Sequence, residues 1–172
     1  MFGIQWIKSK WDIILQFIMA SWGNEMYNLT KPQKSIYNME KFTGGSIAVI
    51  CSSMLCIGTM DIDMLKAAVN TLYRINDALR IRITETVDGT KQTVLDYIER
   101  DFEVFAFTDE DEFLQYAANY AKQPMDIYGP LCDVKIIFVK NKSGLLIKLH
   151  HIIGDAWTMA LLAKQFSAIL DG

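Results

Sequence analysis

The chain has two histidines, His150 and His151, side by side in the run "LIKLHHIIGDAWTM" at 145–158, and Asp155 follows the second by four residues. Imidazole is the side chain whose ordinary pKa, about 6.5, lets it take and return protons near neutrality. A carboxylate a few residues away can orient such a ring or pair with an arginine. Arg80 and Arg82, on another strand-like run, are the arginines within reach of that role. Successive side chains of a strand point to opposite faces, so two adjacent histidines cannot easily present their nitrogens to one small site. That geometry argues against a metal centre, for which no third or fourth ligand stands at a familiar spacing. It favours one imidazole buried and hydrogen-bonded and the other facing a cleft where the strand ends. No GxSxG elbow precedes a helix, so a Ser-His-Asp hydrolase lacks its nucleophile. From the residues alone, a satisfied buried histidine pair and a general base fit equally.

The elements that must hold this stretch follow from periodicity. "LTKPQKSIYNMEKF" begins with Thr30 as N-cap, Gln33 three residues later to complete a capping box and Pro32 in the first turn, which predicts a helix over about 31–41. "GGSIAVICSSMLCIG" reads as a strand, and "DIDMLKAAVNTLYRINDAL" as an amphipathic helix with Leu65, Ala68, Val69 and Leu72 inward. "RIRITETVDGTKQTVLDY" alternates strictly around Asp88 and Gly89, a hairpin pattern. "FEVFAFT" is a further strand, and "DEDEFLQYAANYAKQ" a helix whose acidic first turn suits a helix N-terminus. "LCDVKIIFVKNKSGLLIKLHH" predicts a second hairpin, with its turn at 141–144 and both histidines closing its second strand; a helix over 155–170 ends the chain. This order gives the fold class α/β, a two-layer sandwich of mixed, largely antiparallel sheet with helices, rather than a doubly wound parallel sheet.

Composition sets limits around that core. At 172 residues, with 51% hydrophobic and 22% charged residues, the chain suits one compact unit and excludes disorder and fibrous repeats. A net charge of −3 without a basic stripe or zinc-finger spacing argues against nucleic acid. Cys51, Cys56 and Cys132 are an odd number inside apolar runs, which fits small hydrophobes in a reducing cytoplasm. Residues 1–25 read as a leader whose stretch at 4–20 forms a helix apolar on two sides, suited to packing, or to docking or lying on a membrane surface. Its uncharged run between Asp12 and Glu25 is too short to span a bilayer, and its charges do not suit a signal peptide, so membrane insertion is not expected.

"HHIIGDAWTM" resembles the HHxxxDG motif of nonribosomal peptide synthetase condensation domains, members of the chloramphenicol acetyltransferase-like superfamily of acyltransferases. Three further segments are similar in the same order: "YNLTKPQKSIY" to the opening (S/T)xxQ helix, "MDIDMLKAAVNTLYRINDALRIRI" to the RHExLRTxF segment, in which Arg74, Leu79 and Arg80 match, and "MDIYGPLCDVKII" to the stretch before the hairpin. The motif departs at Ala156, where the family has glycine and a methyl would crowd a close approach of backbone to substrate, and at Ile75, Asn76 and Asp77, where the family has His-Glu.

The resemblance implies that residues 26–172 are the N-terminal lobe of a two-lobed domain of the chloramphenicol acetyltransferase-like fold, and that the second lobe, which would complete the channel, is missing. It implies amide-bond formation between acyl or peptidyl and aminoacyl thioesters, delivered on the phosphopantetheine arms of carrier proteins, with no cofactor bound directly. His151 would be catalytic, taking a proton from the attacking amine or positioning it; an α-amino group with a pKa near 8 needs little help. His150 would be structural, Asp155 would pair with Arg80, and Ala156 and Trp157 complete the motif. The lobe alone would be inactive, with an exposed apolar face open to self-association. A Met1 start points to a parent that begins with this domain, its donor a fatty acyl group or a peptide from another subunit. The rivals are an acyl-CoA-dependent O- or N-acyltransferase lobe and a non-catalytic member that recruits a carrier or partner.

Overall fold

A computed structural model describes residues 25–44 and 48–172; the leader helix predicted over 4–20 lies outside the described residues. The elements are β1 (Met26–Asn28), α1 (Lys31–Thr43), β2 (Val49–Ile57), α2 (Ile62–Ile75), a single 3-10 turn (Asp77–Arg80), β3 (Ile81–Thr86), β4 (Gly89–Val94), β5 (Val104–Phe107), α3 (Glu110–Lys122), β6 (Cys132–Val139), β7 (Lys142–His150) and α4 (Ala156–Asp171). They form a mixed α/β architecture with an antiparallel three-stranded sheet in the order β1-β4-β3 and a four-stranded sheet in the order β2-β7-β6-β5. In the larger sheet only the β5–β6 pair is parallel.

Alternation along β6 and β7 divides the core. Ile136, Leu145, Ile147 and Leu149 meet α2 and α4 through Leu65, Val69, Leu72, Leu162 and Phe166. Ile137, Val139 and Leu146 face the other way, against Phe113 and Tyr120 of α3. Both faces of β7 are therefore covered, which is why its sequence is a nearly unbroken apolar run rather than an alternating one. Leu145, Leu146, Ile147 and Leu149 are all essentially inaccessible to solvent. Each contributes about 1.5–3 kcal/mol relative to an exposed side chain. One polar residue of this run, Lys148, is buried as well; its ammonium donates to the carbonyls of Tyr120 and Gln123 at the end of α3 and lies 4.0 Å from the centre of the Tyr120 ring.

Local signals account for most boundaries. The Thr30–Gln33 capping box starts α1, and Gly44, at φ 70° in the left-handed region, ends it. Two features differ from expectation. The three residues of β1 pair with the distant β4, a contact too short to leave a periodic trace. The β6–β7 turn falls at Lys140 and Asn141, not over 141–144, with Lys140 taking the left-handed φ of 51°. Gly144 instead lies inside β7 opposite Leu55 and Ile137. A Cβ there would collide with the Met54 carbonyl, so this glycine serves the close approach of β2 to β7 rather than the turn.

Candidate active site

The corner between β7 and α4 carries the histidine pair. His150 is the last residue of β7 and fully buried; His151 is the first residue of the following turn and exposed. Leaving the strand, rather than alternation along it, separates the two rings.

Fixed donors and acceptors determine the tautomer of each ring. The Ile152 N–H donates to His150 Nδ1 at 3.1 Å, so that nitrogen must be the acceptor and the proton sits on Nε2. Nε2–H then donates to Glu40 Oε1 at 3.0 Å. In His151 the roles reverse. Its Nδ1 stands 2.7 Å from the Gly154 carbonyl oxygen, which can only accept, so Nδ1 carries the proton and Nε2 holds the lone pair. Among the described residues no hydrogen bond reaches that nitrogen. Backbone bonds fix the corner: His150 N–H donates to Leu131 O at 2.9 Å, His151 N–H to Ala48 O at 2.7 Å and Ile153 N–H to His150 O at 3.1 Å.

Asp155 does not pair with Arg80. Its Oδ1 accepts from the Thr158 N–H at 2.9 Å and the Thr158 hydroxyl at 3.1 Å, while its own N–H donates to Thr158 Oγ1 at 3.2 Å. The residue before a helix meets that helix's unsatisfied amides first, and a short carboxylate is built to accept them. The Thr158 amide holds the Asp155 carboxyl below its usual pKa. Arg80 is engaged elsewhere: Nη2 meets Asp77 Oδ1 at 2.6 Å, Nε donates to Leu95 O at 2.8 Å and Nη1 to the carbonyls of Tyr73 and Arg74. It joins the end of α2 to the end of β4. Arg82 does not reach Asp155 either; it donates to Ile81 O, and burial lowers its pKa.

His151, Gly154, Asp155 and Thr158 border an open cleft of about 470 Å³ between the two sheets, whose other wall includes Gln33, Ile36, Ile81 and Gln92. Gln33 and Gln92 hold each other through their amides, at 2.8 and 3.0 Å. Gly154 is needed for close packing: a Cβ there would meet Thr158 Cγ2 at 2.9 Å. Ala156 opens α4 away from this cleft, beside a groove floored by Ile50, Met54 and Met159. Trp157 is 82% exposed. The arrangement can take a proton from, or accept a hydrogen bond from, an N–H or O–H group brought to His151 Nε2.

Sequence reasoning missed Glu40 and the Gln33–Gln92 pair. Glu40 follows Ile36 and Tyr37 at helical spacing on the inward stripe of α1, which was the signal available; Gln92 offered none, because it reaches the cleft only through the β1-β4-β3 pairing.

Comparison with known proteins gives one consistent picture. The family model described as "Condensation domain" matches residues 23–171. Surfactin synthase subunit 2 of Bacillus subtilis (strain 168) is 27% identical over 151 residues, 86% of this chain and 4% of that protein. Bacitracin synthase 3 of Bacillus licheniformis is 24% identical over 171 residues, 98% of this chain and 3% of that protein. Among solved structures, a variant of the starter condensation domain of rhizomide synthetase in complex with C8-CoA superimposes with a TM-score of 0.75 at 20% identity, covering 91% of this chain and 37% of that one. The first condensation domain of the calcium-dependent antibiotic synthetase, in complex with a substrate analogue, gives 0.75 at 14% identity, over 86% of this chain and 38% of that one. The chain thus spans 3–4% of these two synthetases and 37–38% of these two solved domains. Among the described residues no helix is long and apolar enough to cross a membrane.

Proposed function

Because the chain belongs to the condensation domain family, we propose that residues 26–172 form the first lobe of a condensation domain, preceded by a leader at 1–25, and that the complete domain makes amide bonds between carrier-bound thioesters in the cytoplasm. The observation that supports this reading is the His151 ring, which borders the cleft with its Nδ1–H committed to the Gly154 carbonyl and, among the described residues, no hydrogen bond to its Nε2. The amine of the aminoacyl thioester attacks the carbonyl carbon of the acyl or peptidyl thioester. The C–N bond forms, the C–S bond breaks, and the proton lost by the amine passes by way of His151 Nε2 to the departing sulfur. His150 keeps the corner in shape and Asp155 caps α4 behind it. Carrier proteins with phosphopantetheine arms are the partners, and a second lobe supplies the opposite wall. The exposure of Trp157 and Leu161, at 82% and 48% on one face of α4, supports an apolar covering there, by that lobe or by self-association of the lobe alone.

The test is peptide-bond formation by the complete domain with His151→Ala. Turnover should be lost; unchanged turnover removes His151 from the chemistry. The rhizomide synthetase neighbour with C8-CoA favours one variant of this reading, in which the acyl donor is a coenzyme A thioester. Supplying the complete domain with carrier-bound and coenzyme A-bound acyl groups in parallel distinguishes the two donors.

A further inference from the structure

Glu40 stands in the last turn of α1 and is 6% exposed. A carboxylate there faces the negative end of the helix dipole, and its burial costs free energy unless donors surround it. Among the described residues it makes no bond to a lysine or arginine; the neighbouring Lys41 turns to Glu85. Its two donors among the described residues both lead to His151. One is His150 Nε2–H at 3.0 Å, on a ring whose Nδ1 accepts from the Ile152 N–H immediately after His151. The other is the Ala48 N–H at 3.4 Å, on a residue whose own carbonyl accepts from the His151 N–H at 2.7 Å. The backbone on both sides of residue 151 is thus tied to one carboxylate. His151 Nδ1 in turn reaches the Gly154 carbonyl only while the turn over 151–153 keeps its shape.

From this juxtaposition of Glu40, His150, Ala48 and His151 we infer that Glu40 is a positioning residue for the proposed reaction: it never meets substrate but fixes the tautomer and aim of His151. The inference rests on the reading of His151 given above. Three replacements separate positioning from mere support. Glu40→Gln keeps an oxygen where Oε1 lies, Glu40→Asp withdraws it by one methylene, and Glu40→Leu deletes it.

Two readouts are taken. In this chain, nitrogen-15 chemical shifts of the imidazoles report the tautomer without any need for turnover. The parent and Glu40→Gln should show His151 as a single Nδ1–H form, whereas Glu40→Asp and Glu40→Leu should show tautomers in exchange. In the complete domain, Glu40→Leu should lower kcat by about 10- to 100-fold, with KM changed by less than about twofold, Glu40→Asp should lie between, and Glu40→Gln should recover most of the loss. If Glu40→Leu does not fold, Glu40→Asp carries the test. A folded Asp or Leu variant that keeps the single tautomer and parental kcat overturns the inference. Turnover that survives His151→Ala would overturn the proposed function instead, and the tautomer measurement would still decide the role of Glu40.

Discussion

Replacing Gly154 by alanine tests whether the β7–α4 corner is as tightly built as its geometry shows. The new methyl would lie 2.9 Å from Thr158 Cγ2, 3.1 Å from Cβ and 3.2 Å from Oγ1, where ordinary contact begins near 3.4 Å. Thr158 cannot simply rotate aside, because its hydroxyl and amide both bind Asp155. Overpacking of this kind costs about 1–3 kcal/mol. Gly154 is not in the left-handed region, so alanine also gains about 0.4–1 kcal/mol by restricting the unfolded chain. The overpacking term is the larger, and the net expectation is a loss of about 1–2 kcal/mol. For a chain of this size that lowers the Tm by about 2–8 °C. Thr158→Ser removes the closest atom and keeps the capping hydroxyl, so the double variant Gly154→Ala/Thr158→Ser should recover about 0.5–1 kcal/mol relative to the sum of the single changes. Thermal and urea unfolding of the four proteins measures this cycle. A Gly154→Ala Tm equal to the parent's, or strict additivity with Thr158→Ser, would refute the tight corner.

Asp155→Asn should keep most of the α4 cap and Asp155→Ala should lose it, and the Asp155→Ala and Arg80→Ala effects on the urea midpoint should add; strong coupling between them would restore the ion pair that the structure lacks. Hydrogen bonds from Lys41, Tyr128 and Tyr37 lower the Glu85 pKa from 4.5 to about 2. Because the folded value lies below the unfolded one, the stability Glu85 contributes is complete above about pH 4.5 and is lost as the pH falls toward 2; Glu85→Gln should flatten that part of the urea midpoint–pH curve, and an unchanged slope would count against the network. Burial pushes the Cys132 thiol up to about 12. At pH 8 a thiol reagent followed by peptide mass spectrometry should therefore label Cys132 only as fast as the chain unfolds, and labelling at the rate of an open thiol would contradict its burial.

What could be read in advance divides by the range of the interaction. The α1 start at Thr30 and Gln33, the inward stripe of α2 and the β3–β4 hairpin depend on residues within one or two turns of each other, so their signals are local. Gly144 has the local look of a turn residue, whereas its reason lies across the sheet at Met54. The resemblance points Asp155 toward Arg80, but its place before α4 implies nearer donors, the amides of its own helix. Glu40 and Gln92 required the tertiary arrangement itself: one reaches the buried histidine across 110 residues of chain, the other lies in a sheet that closes through the three residues of β1.

The placement of β7 has a consequence for how the corner moves. It is flanked by β2 and β6, covered on both faces, and bonded along its length, so no small opening exposes its amides. The amide hydrogens of residues 145–149 should exchange with solvent only through opening of the whole lobe. His151 is one peptide bond beyond that strand and so inherits a fixed origin, while its ring remains at the surface; thermal motion can swing the side chain but has no cheap way to carry its backbone off target.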